Sequence, residues 1–106
     1  MQSLAVQIFR FVDSAFPGWV ECELVDAYGR RHVLKDKVPI FTIEDLGADS
    51  KYPSPGSVRC EVAERYKNEN GNELVRASTA KPDGVESTEG LSEFTVLASA
   101  VTSTPD

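Results

Sequence analysis

The sequence contains few of the residues from which metal and nucleophilic sites are usually built. Its 106 residues include one histidine and two cysteines, so a zinc site of cysteine and histidine ligands is not expected. It has no G-x-S-x-G elbow, phosphate-binding loop or G-x-G-x-x-G motif. It also lacks the alternating ligand pattern of an EF-hand loop. We therefore predict a protein that is not an enzyme, and we expect no cofactor and no metal.

Long apolar runs and helical periodicity are also absent. No segment approaches the ~18 apolar residues that cross a bilayer, and no basic segment followed by an apolar one marks a signal peptide. Two cysteines are too few for a typical secreted disulfide framework. We expect one domain over residues 1–101, a disordered tail at 102–106, a cytoplasmic location and no membrane contact.

Basic charge is in short supply. The chain has 11 basic and 17 acidic residues and a net charge of −6, which argues against binding to a phosphate backbone. The same charge favours a partner protein with a basic surface. One short basic stretch keeps a nucleic-acid-binding barrel open as an alternative. The stretch comprises Arg30, Arg31, Lys35 and Lys37, with Tyr28 nearby.

The chain does carry a repeated alternation of apolar and charged residues. Residues 20–24 (VECEL) recur in similar form at 58–62 (VRCEV), and each copy runs into a Gly-centred turn and a second alternating run. The pattern predicts two hairpins, at 19–35 and 57–79, with turns at Gly29 and Asn70-Gly71. The register predicted for the first hairpin places Leu24 opposite His32, Cys22 opposite Leu34, and Glu21 opposite Lys35.

Other alternating or β-branched runs predict further strands at 4–12, 38–41 and 91–101. Residues 42–45 resemble a capping box, and Leu46-Gly47 would close a single helical turn. The total is six or seven strands. We predict an all-β fold, a small partly open β-barrel built on the two related hairpins, with a β-sandwich as the alternative.

The two cysteines and the histidine fall on apolar faces of these strands. Cys22 and Cys60 are predicted to be buried, reduced thiols, although a disulfide would form if their strands were neighbours in suitable geometry. His32 shares the phase of Leu24 and is predicted to be a partly buried, hydrogen-bonded residue rather than a catalytic base.

Two long loops, 44–57 and 80–90, carry the acidic clusters. Like charges are tolerated close together mainly where water or a cation screens them, so a salt-sensitive partner contact is predicted over 44–57 and 80–93. Trp19 and Tyr52 are the candidate aromatic anchors of the partner contact. The alternative for Trp19 is that it is a core or rim residue of its own hairpin. The predicted partner-binding residues are Trp19, Glu44, Asp45, Asp49, Tyr52, Asp83, Glu86, Glu89 and Glu93.

The run at 81–94 (KPDGVESTEGLSEF) resembles a signature of small bacterial proteins to which no activity is attached. The segments 16–19 (FPGW) and 26–30 (DAYGR) resemble the same family. The resemblance implies a bacterial cytoplasmic source. Size and acidity are also similar to those of immunity proteins that neutralise toxins. We predict a non-enzymatic protein-binding module, in its sharpest form an immunity-type inhibitor of a basic nuclease toxin; a small enzyme without a recognisable motif is a further alternative.

Overall fold

One curled antiparallel sheet forms most of the molecule. The computed structural model describes residues 1–103. The order across the sheet is β3-β2-β1-β4-β5-β6, and β7 pairs with the first residues of β1. This half-barrel confirms the predicted all-β, partly open barrel. The strands are β1 (Gln2–Asp13), β2 (Trp19–Val25), β3 (Arg31–Lys37), β4 (Ser54–Lys67), β5 (Glu73–Ser78), β6 (Glu93–Leu97) and β7 (Val101–Ser103).

The β2–β3 hairpin forms in the predicted register. All three predicted pairs are present: Leu24 with His32, Cys22 with Leu34, and Glu21 with Lys35. Because side chains alternate between the faces of a strand, the apolar phase enters the core and the charged phase faces outward. Glu21 takes its ion pair from Arg10 on β1 rather than from Lys35 opposite.

The β4–β5 hairpin is also confirmed, and β4 is longer at its start than predicted. A register shift between Val62 and Glu64 marks a bulge. The apolar phase of β4 therefore does not continue into the core, and its residues beyond the bulge are exposed. Strand β4 begins at Ser54, so the predicted 44–57 loop ends there.

The predicted strand at 38–41 is wrong, because these residues form a one-turn helix, α1 (Val38–Phe41). Pro39 lies in its first turn, where the fixed φ of proline suits a helix and no donor is lost. The predicted helical turn at 42–47 is also wrong. The Thr42 hydroxyl oxygen accepts the Glu44 amide hydrogen at 3.1 Å, two residues away, which is a local turn rather than a capping box.

The predicted final strand at 91–101 is interrupted. A 3-10 turn at Ala98–Ala100 separates β6 from β7, and β7 crosses over to pair with β1. The tail was predicted to begin at 102, but Thr102 and Ser103 belong to β7. The remainder of that predicted tail, 104–106, lies outside the described residues.

The core lies inside the curled sheet, and the second long loop helps to close it. Val85 is fully buried, Ser87 forms a bridge with Leu34 of β3, and the Thr88 amide donates to the carbonyl of Val33. The Ala27 amide donates to the Thr95 carbonyl of β6 at 2.8 Å. The segment after β5 thus contacts β3, and the β2–β3 turn contacts β6. Together they connect the two edge strands of the sheet, β3 and β6. On another side, α1 adds Val38 and Phe41 to the core.

Candidate protein-interaction surface

The second acidic cluster, which consists of Asp83, Glu86, Glu89 and Glu93, does not form a single unpaired patch. Three of its four carboxylates are bound by arginines from three different elements, namely β4, the β2–β3 turn and β5. Glu86 is exposed and takes part in no ion pair among residues 1–103. The pairs are Asp83–Arg59 at 2.6 Å, Glu89–Arg30 at 3.3 Å and Glu93–Arg76 at 3.1 Å.

The Asp83–Arg59 pair has the shortest contact of the three. Both nitrogen donors of the Arg59 fork reach the carboxylate, at 2.6 and 3.0 Å, and only 9% of the Asp83 side chain is exposed. The hydrogen bond and the charge of Asp83 raise the pKa of Arg59 above its ordinary value. Asp83 therefore serves in part to fix the loop onto β4.

The first acidic cluster is different, because its members have no cationic partner. Glu44, Asp45 and Asp49 are exposed, and none of the ion pairs formed by the described residues includes them. Glu44 and Asp45 line a cleft, whereas Asp49 does not. Their negative charge is therefore available to a partner.

Two clefts lie around α1 and share Pro39, Thr42 and Ile43 as a common wall. Each encloses about 510 Å³, within the range of roughly 300–1,000 Å³ found for binding pockets. We call the first the acidic cleft; it is lined by Phe16, Pro17, Val38, Pro39, Thr42, Ile43, Glu44 and Asp45. We call the second the edge cleft; it is lined by residues 39–43 and 55–57 together with Ser3, Arg59 and Asp83.

Two large apolar side chains in the acidic cleft are exposed to solvent. Phe16 is 97% exposed and Ile43 is fully exposed. Both stand on turns: the Gly18 amide donates to the Ala15 carbonyl behind Phe16, and Thr42 fixes the turn that carries Ile43. Burying an apolar side chain of this size contributes roughly 1.5–3 kcal/mol. An apolar patch rimmed by charged residues is typical of an interaction site.

The two predicted aromatic anchors have partners within the molecule. Trp19 is half-buried, and the Lys37 ammonium lies 5.8 Å from its ring centroid. The Tyr52 hydroxyl donates to the Gly47 carbonyl at 2.7 Å, and its ring packs against the core. These contacts order the hairpin and the first long loop.

Phe16 and Ile43 were missed by the sequence interpretation. Phe16 precedes Pro-Gly in a segment identified only as a strand breaker, and Ile43 lay inside the supposed capping box. A large apolar residue within a turn belongs to no strand phase that would bury it. That feature alone does not distinguish them from Val85, which also lies in a loop and is fully buried.

His32 is enclosed by the fold and does not line either cleft. It is 4% exposed, its Nε2 atom lies 2.9 Å from Oδ2 of Asp26, and the Phe94 ring packs edge-on at 5.0 Å. Its Nδ1 atom is buried without a hydrogen-bond partner among the described residues. The ring is thus more deeply buried than predicted, and only one of its two nitrogen atoms has a hydrogen-bond partner among these residues.

The cysteines are free and buried, which confirms the prediction of reduced, buried thiols. Burial and the nearby charge of Asp36 raise the pKa of Cys22 to about 12. Burial also raises the pKa of Cys60. Because the thiolate is the reactive form, both thiols are unsuited to nucleophilic chemistry. Across residues 1–103, no group of three or more histidine, cysteine, aspartate or glutamate side chains is arranged to hold a metal ion.

No helix within residues 1–103 is both long enough and apolar enough to span a membrane. Comparisons of the chain with protein-family models, with curated proteins and with solved structures found no match. The resemblance to small bacterial proteins therefore stays a prediction.

Proposed function

We propose that this chain is a protein-binding domain whose main contact surface is the acidic cleft. The observation that carries the proposal is the exposure of Phe16 and Ile43 in the cleft that Glu44 and Asp45 also line. Neither apolar side chain contributes to the core in this position. A partner that covers them would gain burial, and the unpaired carboxylates would select its charge.

The partner that fits this surface is a protein with an apolar contact flanked by lysine or arginine. A net charge of −6 would steer such a partner and speed its association at low salt. In the sharpest form, the chain is a cytoplasmic, immunity-type inhibitor that covers the basic active site of a nuclease toxin. Asp49, Glu86, Glu89, Glu93, Asp83, Trp19 and Tyr52 are proposed as peripheral contacts.

Affinity capture from the source cell with four variants tests the proposal. Phe16→Ser with Ile43→Ser removes the apolar contact, and Glu44→Gln with Asp45→Asn removes the charge. Each of these two cleft variants should recover less of the partner than wild type does. The binding that remains in the charge variant should depend less on salt concentration. The matched controls are Tyr28→Ser with Leu97→Ser, and Glu69→Gln with Glu73→Gln, which alter exposed residues outside the clefts.

The controls should recover the partner as wild type does. Circular dichroism and thermal unfolding establish that every variant is folded. If both cleft variants recover the same partner at the same salt resistance as wild type, the acidic cleft is not the contact surface.

The nucleic-acid alternative has weaker support from the basic stretch. Arg30 is paired with Glu89, the Arg31 guanidinium lies 3.7 Å from the Glu23 carboxylate, and Lys37 lies over Trp19. Much of the positive charge therefore has an intramolecular partner. A phosphate backbone would have to compete with these contacts.

A further inference from the structure

We propose that Asn70 is a self-modification site, at which the asparagine is converted to aspartate and isoaspartate without an enzyme. Asn70 precedes Gly71 in the turn between β4 and β5. Asparagine is a thermolabile residue, and a following glycine has no side chain to hinder attack by its backbone nitrogen. The fold leaves this site exposed, whereas it protects a second site of the same chemistry at Asp83.

The reaction is an attack of a backbone nitrogen on the preceding side chain. The Gly71 nitrogen bonds to Cγ of Asn70 while the bond from Cγ to Nδ2 breaks. The departing nitrogen takes the proton of the Gly71 amide and leaves as ammonia. Water then opens the succinimide ring at either carbonyl, which gives aspartate or isoaspartate. No oxidation or reduction takes place, and the net charge of −6 gains one further negative charge.

The reacting groups lie at the end of an exposed arm. The residues of β4 beyond its bulge are exposed, and so are Asn70 and Gly71. A Cβ atom at Gly71 would have no atom within 4 Å, so the space around the attacking nitrogen is open. The Asn70 carboxamide forms no hydrogen bond with any of residues 1–103. The group under attack is therefore free to rotate toward the backbone.

Hydrogen bonds within the turn must break before the ring closes. The Gly71 amide donates to the Asn68 carbonyl at 3.0 Å. The side-chain oxygen of Asn68 accepts the amide hydrogens of Asn70 and Asn72, both at 3.0 Å. Because the turn is the tip of an exposed arm, few contacts oppose its local opening. Asn68 therefore slows the reaction at Asn70 without preventing it.

Asp83 is the second site, and the fold protects it. It precedes Gly84, and an aspartate before glycine closes the same ring with loss of water. Both of its carboxylate oxygens accept hydrogen bonds from Arg59, at 2.6 and 3.0 Å, and its side chain is only 9% exposed. The Thr79 hydroxyl donates to the Val85 carbonyl at 2.7 Å, which fixes the surrounding backbone. The carboxylate cannot turn toward the Gly84 nitrogen while Arg59 holds it.

The two remaining asparagines of the chain are internal controls. Asn68 and Asn72 lie in the same turn as Asn70, but each precedes a glutamate. The glutamate side chain crowds the backbone nitrogen that would attack. Asn72 is exposed as Asn70 is, so a difference in rate between them is not a difference in solvent access.

Peptide mapping of the full chain after incubation near neutral pH tests the proposal. Electron-transfer fragmentation distinguishes isoaspartate from aspartate at each position. Asn70 should yield both products less than about thirtyfold more slowly than the synthetic peptide 66–74 (YKNENGNEL), since only the hydrogen bonds of the turn must break. Asn68 and Asn72 should convert at least about tenfold more slowly than Asn70. Asp83 should form isoaspartate more than about thirtyfold more slowly than the synthetic peptide 81–87 (KPDGVES).

Two variants separate the effect of the fold from that of the local sequence. Asn68→Ala removes the side-chain acceptor and should speed conversion of Asn70 about threefold, with Asp83 unchanged. Arg59→Gln releases the Asp83 carboxylate and should speed formation of isoaspartate there at least about fivefold, with Asn70 unchanged. Circular dichroism establishes that each variant is folded. Arg59→Lys, which keeps the cation but loses the fork, replaces Arg59→Gln if that variant unfolds.

Three results would overturn the inference. The first is that Asn70 in the folded chain converts about thirtyfold or more slowly than its peptide. The second is that Asn68 or Asn72 converts as fast as Asn70. The third is that Asp83 is protected no better than Asn70, or that a folded Arg59 variant leaves the protection of Asp83 unchanged. Because residues 68–72 line neither cleft, none of these results bears on the proposed function.

Discussion

The Nε2 atom of His32 lies 2.9 Å from the Oδ2 atom of Asp26, at the turn of the β2–β3 hairpin. The other carboxylate oxygen of Asp26 accepts the amide hydrogens of Tyr28 and Arg30, both at 2.9 Å. Burial opposes ionisation of Asp26, but the hydrogen bonds from His32, Arg30 and Tyr28 outweigh it and lower the pKa of the carboxyl. One carboxylate thus orders the turn and anchors a buried ring.

We predict that Asp26→Asn destabilises the fold by about 1.5–3 kcal/mol, the usual range for a hydrogen bond to a charged group. Because the pKa is lowered in the folded state, this stabilisation is present above the ordinary value of 3.8 and is lost as pH falls through the lowered pKa. Urea unfolding between about pH 2 and pH 7 measures the difference. Asp49→Asn, which changes an exposed carboxylate, is the control and should leave stability within about 0.5 kcal/mol.

We predict that Gly56→Ala is destabilising although alanine is otherwise a mild substitution. A Cβ atom at Gly56 would lie 2.9 Å from Cδ1 of Ile8 and 3.0 Å from the carbonyl oxygen of Phe41. The backbone of α1 must therefore move, at a cost of about 1–3 kcal/mol.

Gly47→Ala is the matched control for that substitution, because no atom lies within 4 Å of a Cβ atom there and its φ is not in the left-handed region. It should be neutral or stabilise by about 0.4–1 kcal/mol through the unfolded state. Thermal unfolding of both variants decides the point. Equal stabilities would mean that α1 does not pack against β4 as the structure has it.

The Cys22 thiol should resist modification in the folded protein. Burial and Asp36 raise its pKa to about 12, so almost no thiolate exists near neutral pH. A pKa above the ordinary 9.0 means that stability is fully present below pH 9.0 and falls as pH rises toward 12. In the Cys22→Ala variant, the loss of stability that this thiol causes above pH 9.0 should be absent. Rapid labelling of native Cys22 by a thiol reagent would contradict its burial.

Tyr28 in the β2–β3 turn interacts with Tyr66 on the exposed arm of the β4–β5 hairpin. This interaction is the main cause that raises the pKa of Tyr28 above its ordinary 10.0. We predict that Tyr66→Phe lowers the pKa of Tyr28 toward that value, measured by ultraviolet titration of the tyrosines. Tyr52→Phe serves as the control, since Tyr52 bonds to Gly47 instead. An unchanged Tyr28 titration in the Tyr66 variant would exclude the contact.

The β2–β3 hairpin and helix α1 show which parts of the fold could be predicted from the sequence. The register of the β2–β3 hairpin was predictable because strict period-2 alternation and Gly29 fix the pairing together. The helix α1 was not, because four residues are too few to show helical periodicity and the sequence VPIF has the composition of a strand. Phe16 and Ile43 were missed for a related reason: they lie in turns, where no periodic pattern assigns a side chain to a face.

Three exposed glutamates lie in or beside the second long loop: Glu86, Glu89 and, at the start of β6, Glu93. Glu89 and Glu93 face arginines on an exposed surface, and such pairs contribute only about 0–1 kcal/mol. The variant Glu86→Gln with Glu89→Gln and Glu93→Gln should therefore stay folded. We expect it to recover the partner with a modest loss of affinity, smaller than that of Glu44→Gln with Asp45→Asn, because two of its three carboxylates already have cationic partners.

Capture at increasing salt concentration compares these two variants directly. If the triple variant and wild type release the partner at the same salt concentration, Glu86, Glu89 and Glu93 are solvated surface and are not contact residues. If the triple variant loses more affinity than the variant of Glu44 and Asp45, the contact surface lies on the side of the barrel closed by the second loop. The ratio of the two losses thus locates the partner on the molecule.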